Sequence, residues 1–304
     1  ALYAQEQSAE SSSNSSNDPI LVVTPADQTV TNPAAFTKAL AKSIEIAQTG
    51  AIAILGITPS APETGYGYIK VQNQASADNG YTVERFVEKP NEATAKQYLA
   101  EGGYFWNGGM FVLKASVWLA ALKEYRSDIL ASTEKAWQAK ATDAAGEAEF
   151  IRPAAELFKA IPSESIDYAV IEKCPGSKHP IKMVELDAGW NDLGAWDAVW
   201  QVGKQDAQGN VTSGDALVSN SKNSLIHASS RLVGAVGVEN LIIVETADAV
   251  LVADRKNSQD VKNIVGQLEA QKREEKNLHR KVSRPWGWYD SVDEGERFKV
   301  KRIQ

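Results

Sequence analysis

The stretch Met183-Val184-Glu185-Leu186-Asp187-Ala188-Gly189-Trp190-Asn191-Asp192-Leu193-Gly194-Ala195-Trp196 constrains the fold more than any other. An apolar strand runs into a glycine-punctuated loop that carries acids, and an apolar helical pattern comes next. In open α/β sheets ligands collect at the carboxyl ends of strands, so Asp192 is well placed for chemistry. An Asp ahead of an apolar helix, here over residues 193–200, is equally well explained as its cap. On the loop alone, metal ligand and helix cap stand level. Upstream of the stretch the chain reads as an α/β domain, and downstream as a smaller, β-rich unit.

The upstream pattern supports the α/β reading. Residues 8–17 are rich in Ser and Asn and predict a solvated loop after the tail of a helix at Leu2, Tyr3 and Ala4. Residues 19–23 form a short apolar run, expected to be a parallel strand buried on both faces. Asn32 then caps a helix with Pro33 at its first position, Phe36, Leu40, Ile44 and Ala47 on its apolar stripe, and Gly50 at its end. A second strand over residues 51–57 completes a β-α-β unit, expected to be right-handed. A loop through Pro62 enters a strand near Ile69, Asp78-Asn79-Gly80 signals a hairpin turn, and a strand returns over residues 81–88. A short helix spans about residues 92–100. Residues 104–113 read as a loop that becomes a strand, and residues 115–174 as mostly helical, with breaks near Ser127, Asp143 and Pro162. This alternation predicts a predominantly parallel sheet with helices on both faces.

After Lys204 short β-type runs recur at residues 216–218, 225–227, 241–244 and 250–252, separated by Gly, Asn, Ser and Asp. They fit a small sheet or a few coils of β-helix. Val261, Ile264, Val265 and Leu268 mark one amphipathic helix, which fades into the charged run 272–276. Trp196 and Trp200, four apart, read as core packing. The chain stops after residues 297–303, which look like a strand without its sheet, so a fragment cut at both ends is expected.

A chain of 304 residues is long enough for two domains. Its net charge of −7 disfavours a broad nucleic-acid surface, and no apolar run reaches membrane-spanning length. Cys174 is the only cysteine, which excludes an internal disulfide framework and fits a reducing, cytoplasmic compartment. His179, His227 and His279 are scattered, with neither a Ser-His-Asp arrangement nor zinc-type spacing.

Chemistry-bearing residues cluster at strand ends and loops: Asp27, Gly65-Tyr66-Gly67, Glu88-Lys89, Asn107-Gly108-Gly109 and Asp192. Singly each has a structural reading; Asp27 can begin a turn and Gly108-Gly109 can be a bulge. Together they fit a chemical logic. Asp27 and Asp192 can hold one Mg²⁺, which takes carboxylates plus phosphate oxygens. Lys89 supplies a point charge for a phosphate, while Gly-rich loops, Glu and Asn can fix hydroxyl groups. Metal, phosphate and polyol point to a sugar phosphate and a nucleotide.

Phe86-Val87-Glu88-Lys89-Pro90, Trp106-Asn107-Gly108-Gly109-Met110-Phe111, Ser165-Ile166-Asp167-Tyr168-Ala169-Val170-Ile171-Glu172 and Gly189-Trp190-Asn191-Asp192-Leu193-Gly194 resemble the mannose-1-phosphate guanylyltransferase family. Pro25-Ala26-Asp27 and Glu63-Thr64-Gly65-Tyr66-Gly67-Tyr68-Ile69 match too, in the family's order. Arg284-Pro285-Trp286-Gly287 and the residues after it resemble the linker and first strand of the cupin isomerase domain of bifunctional members. The resemblance implies a Rossmann-like nucleotidyltransferase domain with a mixed or parallel sheet over residues 1–204. A left-handed β-helix-like domain over 205–278 and a truncated cupin over 279–304 would come after it. The implied reaction joins GTP and mannose 1-phosphate to give GDP-mannose and diphosphate by in-line transfer with Mg²⁺, in a homodimer. By the same resemblance Asp27 and Asp192 are assigned to Mg²⁺, Lys89 to the sugar phosphate, and Glu88, Asn107, Gly108 and the loop Gly65, Tyr66, Gly67 to the mannose. Asp167 and Glu172 fall near the sugar pocket. The family's Gly-rich nucleotide loop would lie upstream of Ala1, so this chain alone is expected not to turn over. Two other readings stay open: transfer to another hexose 1-phosphate, and a non-catalytic sugar-phosphate-binding homologue.

Overall fold

Asn32 opens α2 (Pro33–Gln48) as its sequence requires: its side chain accepts from the Ala35 N–H at 3.1 Å, Pro33 fills the first position, and Gly50 comes just past the end with φ of 90°. This helix belongs to the first of two compact units, Ala1–Trp190 and Asn191–Gln304, in a computed structural model of the chain. The structure describes residues 1–11, 18–72, 79–145, 148–273, 280–284 and 286–304. Asp78 of the expected Asp78-Asn79-Gly80 turn, most of the charged run 272–276, His279 and Pro285 therefore lie outside the described residues, while Gly80 takes φ of 70°.

The first unit begins with α1 (Leu2–Ser11), so residues 8–11 are helix rather than loop; residues 12–17 lie outside the described residues. Then come β1 (Ile20–Val23), β2 (Thr29–Val30), α2, β3 (Ile52–Ile57), β4 (Tyr68–Val71), β5 (Tyr81–Val87), α3 (Glu92–Glu101) and β6 (Tyr104–Lys114). Next are α4 (Ala115–Tyr125), α5 (Ser127–Gln138), a hairpin of β7 (Ala141–Ala145) and β8 (Ala148–Arg152), α6 (Ala155–Lys159), α7 (Ile166–Ala169) and β9 (Ile181–Glu185), with β10 (Trp190–Asn191) at the boundary. The hairpin falls at the break expected near Asp143, where the sequence predicts no strand pair. Residues 104–107 are already strand.

Six strands form one sheet in the order β1-β6-β3-β9-β5-β4. The predominantly parallel sheet is corrected: it is mixed, with β3 and β9 parallel and its other described pairings antiparallel. β1 and β3 do run the same way around α2, but β6 lies between them. The long β6 returns after α3 and occupies the slot that the β-α-β reading left to direct pairing. β1 is an edge among the described strands, and Val22 and Val23 are 45% and 41% exposed, so its burial on both faces is also corrected.

β3 is the strand buried on both sides. Ile52 and Ile54 enter the cluster that includes Ala121, Leu122 and Leu130 of α4 and α5, whereas Ala53 and Leu55 face Ile46 and Ala47 of α2. Helices therefore cover both faces, as expected. β4 also pairs with β6, which closes β6, β3, β9, β5 and β4 into a ring. The side chain of Met183 on the neighbouring β9 leaves no room at Gly56, where a Cβ would stand 2.6 Å from Met183 Sδ.

In the second unit α8 (Trp196–Val202) starts later than residue 193, and Asp192 does not cap it. Its Oδ1 instead accepts from the Gly194 N–H at 3.1 Å in a tight turn, with Ala195 at the cap position. β11 (Val211–Ser219), β12 (Leu225–Val236) and β13 (Leu241–Glu245) pair in parallel, and β14 (Val250–Asp254) closes antiparallel. The parallel register with a shift between Gly214 and Ala216 suits coils of β-helix more than a simple meander. Trp196 and Trp200 pack with Val211, Leu225 and Ile242, as core residues do; the Arg255 guanidinium lies 3.2 Å from the Trp200 ring centroid. The helix α9 (Val261–Ala270) comes next, and β15 (Lys281–Arg284), β16 (Gly287–Gly295) and β17 (Phe298–Ile303) form an antiparallel sheet. The final strand thus has its sheet, contrary to expectation.

Candidate active site

The loop before β4, the end of β5, the bulge of β6 and the segment from α7 to Glu172 bring seven of the proposed residues together: Gly67, Glu88, Lys89, Asn107, Gly108, Asp167 and Glu172. Glu88 leaves β5 with its backbone N–H donating to Glu172 Oε1 at 2.9 Å. Its side chain is 7% exposed. Glu88 Oε1 meets Lys89 Nζ at 2.9 Å, and Oε2 has no hydrogen-bond partner among the described residues. A buried carboxylate oxygen without a donor costs free energy, on the order of 1–3 kcal/mol or more. Such an atom is suited to a hydroxyl that arrives with a ligand.

Gly67 faces that oxygen. A Cβ there would sit 2.4 Å from Glu88 Oε2 and 3.3 Å from Asn107 Cβ, so only glycine leaves the approach open. The Gly67 carbonyl accepts from the Asn107 N–H at 2.8 Å. Asn107 is itself oriented at both ends: Oδ1 accepts from the Gly109 N–H at 3.0 Å, and Nδ2 donates to Asp167 Oδ1 at 3.0 Å. These bonds exist because β6 bulges here. Ile54 stands opposite Phe111 and Gly56 opposite Asn107, so residues 108–110 of β6 face Leu55 alone. Gly109 takes φ of 68° in this bulge. Gly108 serves the bulge rather than an open surface, since a Cβ would meet Ile57 Cδ1 at 2.7 Å and Leu55 O at 3.0 Å.

Electrostatics sharpen the cluster. Burial, with the nearby Glu88 charge second, pushes the Asp167 carboxyl up to about 6. The Glu88 carboxylate holds the Lys89 ammonium above its ordinary value through a hydrogen bond and its charge. Lys89 itself has φ of 48°, rare for a side chain of this kind, and is 58% exposed. The strained backbone presents the ammonium at the rim while its carboxylate partner stays inside.

The remaining assignments fall outside this cluster. Gly65 is exposed with open space around its α-carbon. Tyr66 lies edge-on to Trp106 at 5.1 Å and to Trp190 at 5.6 Å. Asp27 is exposed just past β1, in a loop whose Pro25 and Gln28 approach Gly109. Asp192 lies in the second unit. Each is a carboxylate, a hard oxygen donor of the kind that Mg²⁺ prefers. Among the described residues no group of three or more His, Cys, Asp or Glu is assembled for a metal. The reading by residue type overlooked Gln28 and Trp190, joined at 2.8 Å between Trp190 Nε1–H and Gln28 Oε1. A partner 162 positions away leaves no local signal.

Residues 2–209 match the family description Nucleotidyl transferase. Residues 214–268 match a MannoseP isomerase/GMP-like beta-helix domain, and residues 271–304 the mannose-6-phosphate isomerase C-terminal domain. The chain is 44% identical to a mannose-1-phosphate guanylyltransferase of Escherichia coli, over 100% of this chain and 61% of that protein. It is 44% identical to the alginate biosynthesis protein AlgA of Pseudomonas aeruginosa, over 94% and 58%. The crystal structure of a protein described as mannose-1-phosphate geranyltransferase from Thermus thermophilus superposes with a TM-score of 0.70 at 30% identity, over 82% of this chain and 70% of that one. The chain spans about three-fifths of the length of the curated relatives it matches. With a ring-closed mixed sheet, a β-helix-like unit after it in the chain and a family match over residues 2–209, the chain belongs to the nucleotidyl transferase family.

Proposed function

We propose that this chain carries the sugar-phosphate and metal-binding part of a mannose-1-phosphate guanylyltransferase, acting in GDP-mannose and polysaccharide synthesis. The observation that carries the reading is Glu88 Oε2, buried and without a protein donor among the described residues, beside Gly67 and an Asn107 whose amide is fixed at both ends. Such a set suits a ligand hydroxyl, with a cation, Lys89, at its rim. Relatives named for mannose-1-phosphate transfer supply the substrate.

In this reading mannose hydroxyls donate to Glu88 Oε2 and lie against Asn107 and Gly67, while Lys89 leaves Glu88 to bind the phosphate. A phosphate oxygen of the sugar then attacks the α-phosphorus of GTP in line; the new O–P bond forms as the bond to diphosphate breaks, and diphosphate departs. Asp27 and Asp192 are the residues assigned to Mg²⁺, which when bound neutralises charge on the phosphates. The chain's own residues contribute positioning and charge, which such reactions chiefly need. We further propose three segments divided near residues 204 and 278, a homodimer, and a cytoplasmic location. No helix of the described residues is long and apolar enough to cross a membrane.

The test is diphosphate release from GTP, Mg²⁺ and mannose 1-phosphate by the full-length gene product. Activity that falls at least about 100-fold in Asp192→Asn, the scale of one lost electrostatic group, supports the reading. Undiminished activity in that variant contradicts the metal assignment.

A further inference from the structure

The loop that faces the sugar, Gly65-Tyr66-Gly67, has glycines on both sides of one large side chain. Neither glycine can hold the loop by a side chain, so the Tyr66 ring is its anchor. That ring meets two indoles edge-to-face, Trp106 at 5.1 Å and 71° and Trp190 at 5.6 Å and 72°. Edge-to-face pairs of this kind have a preferred geometry and resist sliding.

Each indole leads to a different part of the site. Trp106 immediately precedes Asn107 on β6, and the Asn107 N–H is bonded to the Gly67 carbonyl. Trp190 leads to the carboxylate loop: its Nε1–H donates to Gln28, the neighbour of Asp27. The two backbones are tied together as well. The N–H groups of Thr31 and Asn32 both donate to the Ala188 carbonyl at 3.0 Å. Gly189, at φ of 59°, is packed so closely that a Cβ would stand 2.0 Å from Thr31 Oγ1. The chain from the Asp27 loop to Asn32 is therefore tied to the segment 188–190 by hydrogen bonds and close packing, and Tyr66 rests on Trp190 of that segment.

We propose that Tyr66 is a positioning residue that transmits the order of the Asp27 loop, through Gln28 and Trp190, to the hydroxyl-binding groups Gly67 and Asn107. The inference rests on the functional reading above and names a coupling that this reading does not require. Its consequence is that a change at Gln28, on the carboxylate side, weakens the sugar phosphate on the other side. By linkage, ordering the sugar loop favours the carboxylate loop to the same degree.

The test is calorimetric titration of mannose 1-phosphate into the 304-residue chain with Mg²⁺ present. Wild type is compared with Gln28→Leu, Trp190→Phe, Tyr66→Ala, Tyr66→Phe and the double variant Gln28→Leu/Tyr66→Ala. Gln28→Leu and Trp190→Phe delete the same hydrogen bond from opposite ends, so a folding defect in one leaves the other to decide. Each is expected to weaken binding about fivefold, the size of one hydrogen bond or aromatic contact. Tyr66→Ala is expected to weaken it about tenfold, while Tyr66→Phe, which keeps the ring, stays within about twofold of wild type. In the double variant the losses are not multiplied, because both act through one contact. Wild-type affinity in both hydrogen-bond variants, or losses that multiply in the double variant, overturns the coupling alone. A wild-type chain that does not bind mannose 1-phosphate overturns the functional reading, and the coupling with it.

Discussion

Glu88 divides its two oxygens between a lysine and an unfilled position, and the behaviour of the site turns on that division. Lys89 is held by the same carboxylate; under the proposed function, entry of the sugar phosphate would exchange this ion pair for a hydroxyl bond and a phosphate pair. Gly67→Ala, which would put a methyl 2.4 Å from Glu88 Oε2, is expected to weaken mannose 1-phosphate binding about tenfold or more by displacing that oxygen. Calorimetry reads the loss directly. Asp167 offers a pH test. Its folded value of about 6 lies above the ordinary 3.8, so the stability it contributes is full below pH ~4 and is lost as pH rises through 6. Asp167→Asn cannot ionise. It should therefore gain on wild type by on the order of 1 kcal/mol at pH 7.5, after screening by solvent, and gain nothing at pH 4. Urea unfolding at the two pH values measures the difference. Glu88 and Lys89 were legible as charged residues at a strand end, and Asn107 as a polar residue beside two glycines. Asp167 was legible only by resemblance, since an acid on a four-residue helix looks like any exposed carboxylate. Its partner Asn107 is 60 positions away.

Among the elements, α2 was legible to its ends because capping is a local property: Asn32, Pro33 and Gly50 each act within one turn. Asn32→Ala is expected to cost about 1 kcal/mol, read from denaturant midpoints. The hairpin of β7 and β8 was not legible. Its alanine-rich sequence has high helix propensity and little β signal, and strand pairing overrides a preference of that size. The direction of the sheet was hidden for another reason. Residues 104–113 show apolar content but not which neighbours they will have, and the placement of β6 between β1 and β3 is decided by contacts far apart in the chain. In the β-helix-like sheet, Glu245 is buried and accepts from the Ser230 hydroxyl, the N–H groups of Ser230 and Arg231, and Arg231 Nε. The Ser230 hydroxyl, and then these N–H groups and the Arg231 charge, hold its carboxyl down at about 2. This depressed value means stability that is present above the ordinary 4.5 and lost as pH falls toward 2. Glu245→Gln should accordingly lower the melting temperature at pH 7 and match wild type near pH 2, as thermal scans at both values would record.

For the whole molecule, the change of texture near residue 204 announced a second unit, and the compact division comes at Trp190–Asn191. The β-helix-like character was suggested by run spacing, but only the parallel register separates it from a meander. Val250 and Val252 on β14 are 60% and 61% exposed, side chains that a homodimer would cover. If they do, sedimentation of the wild-type chain gives a dimer, and Val250→Lys with Val252→Lys gives a monomer; a monomeric wild type contradicts the proposed dimer. The proposed function requires a sugar phosphate to occupy the Glu88 cluster. The most direct measurement is a crystal structure of the chain with mannose 1-phosphate and Mg²⁺. The expected result is a sugar hydroxyl on Glu88 Oε2, Asn107 beside the ring and Lys89 turned from Glu88 to the phosphate. A sugar phosphate bound elsewhere, with the Glu88–Lys89 pair intact, would contradict it.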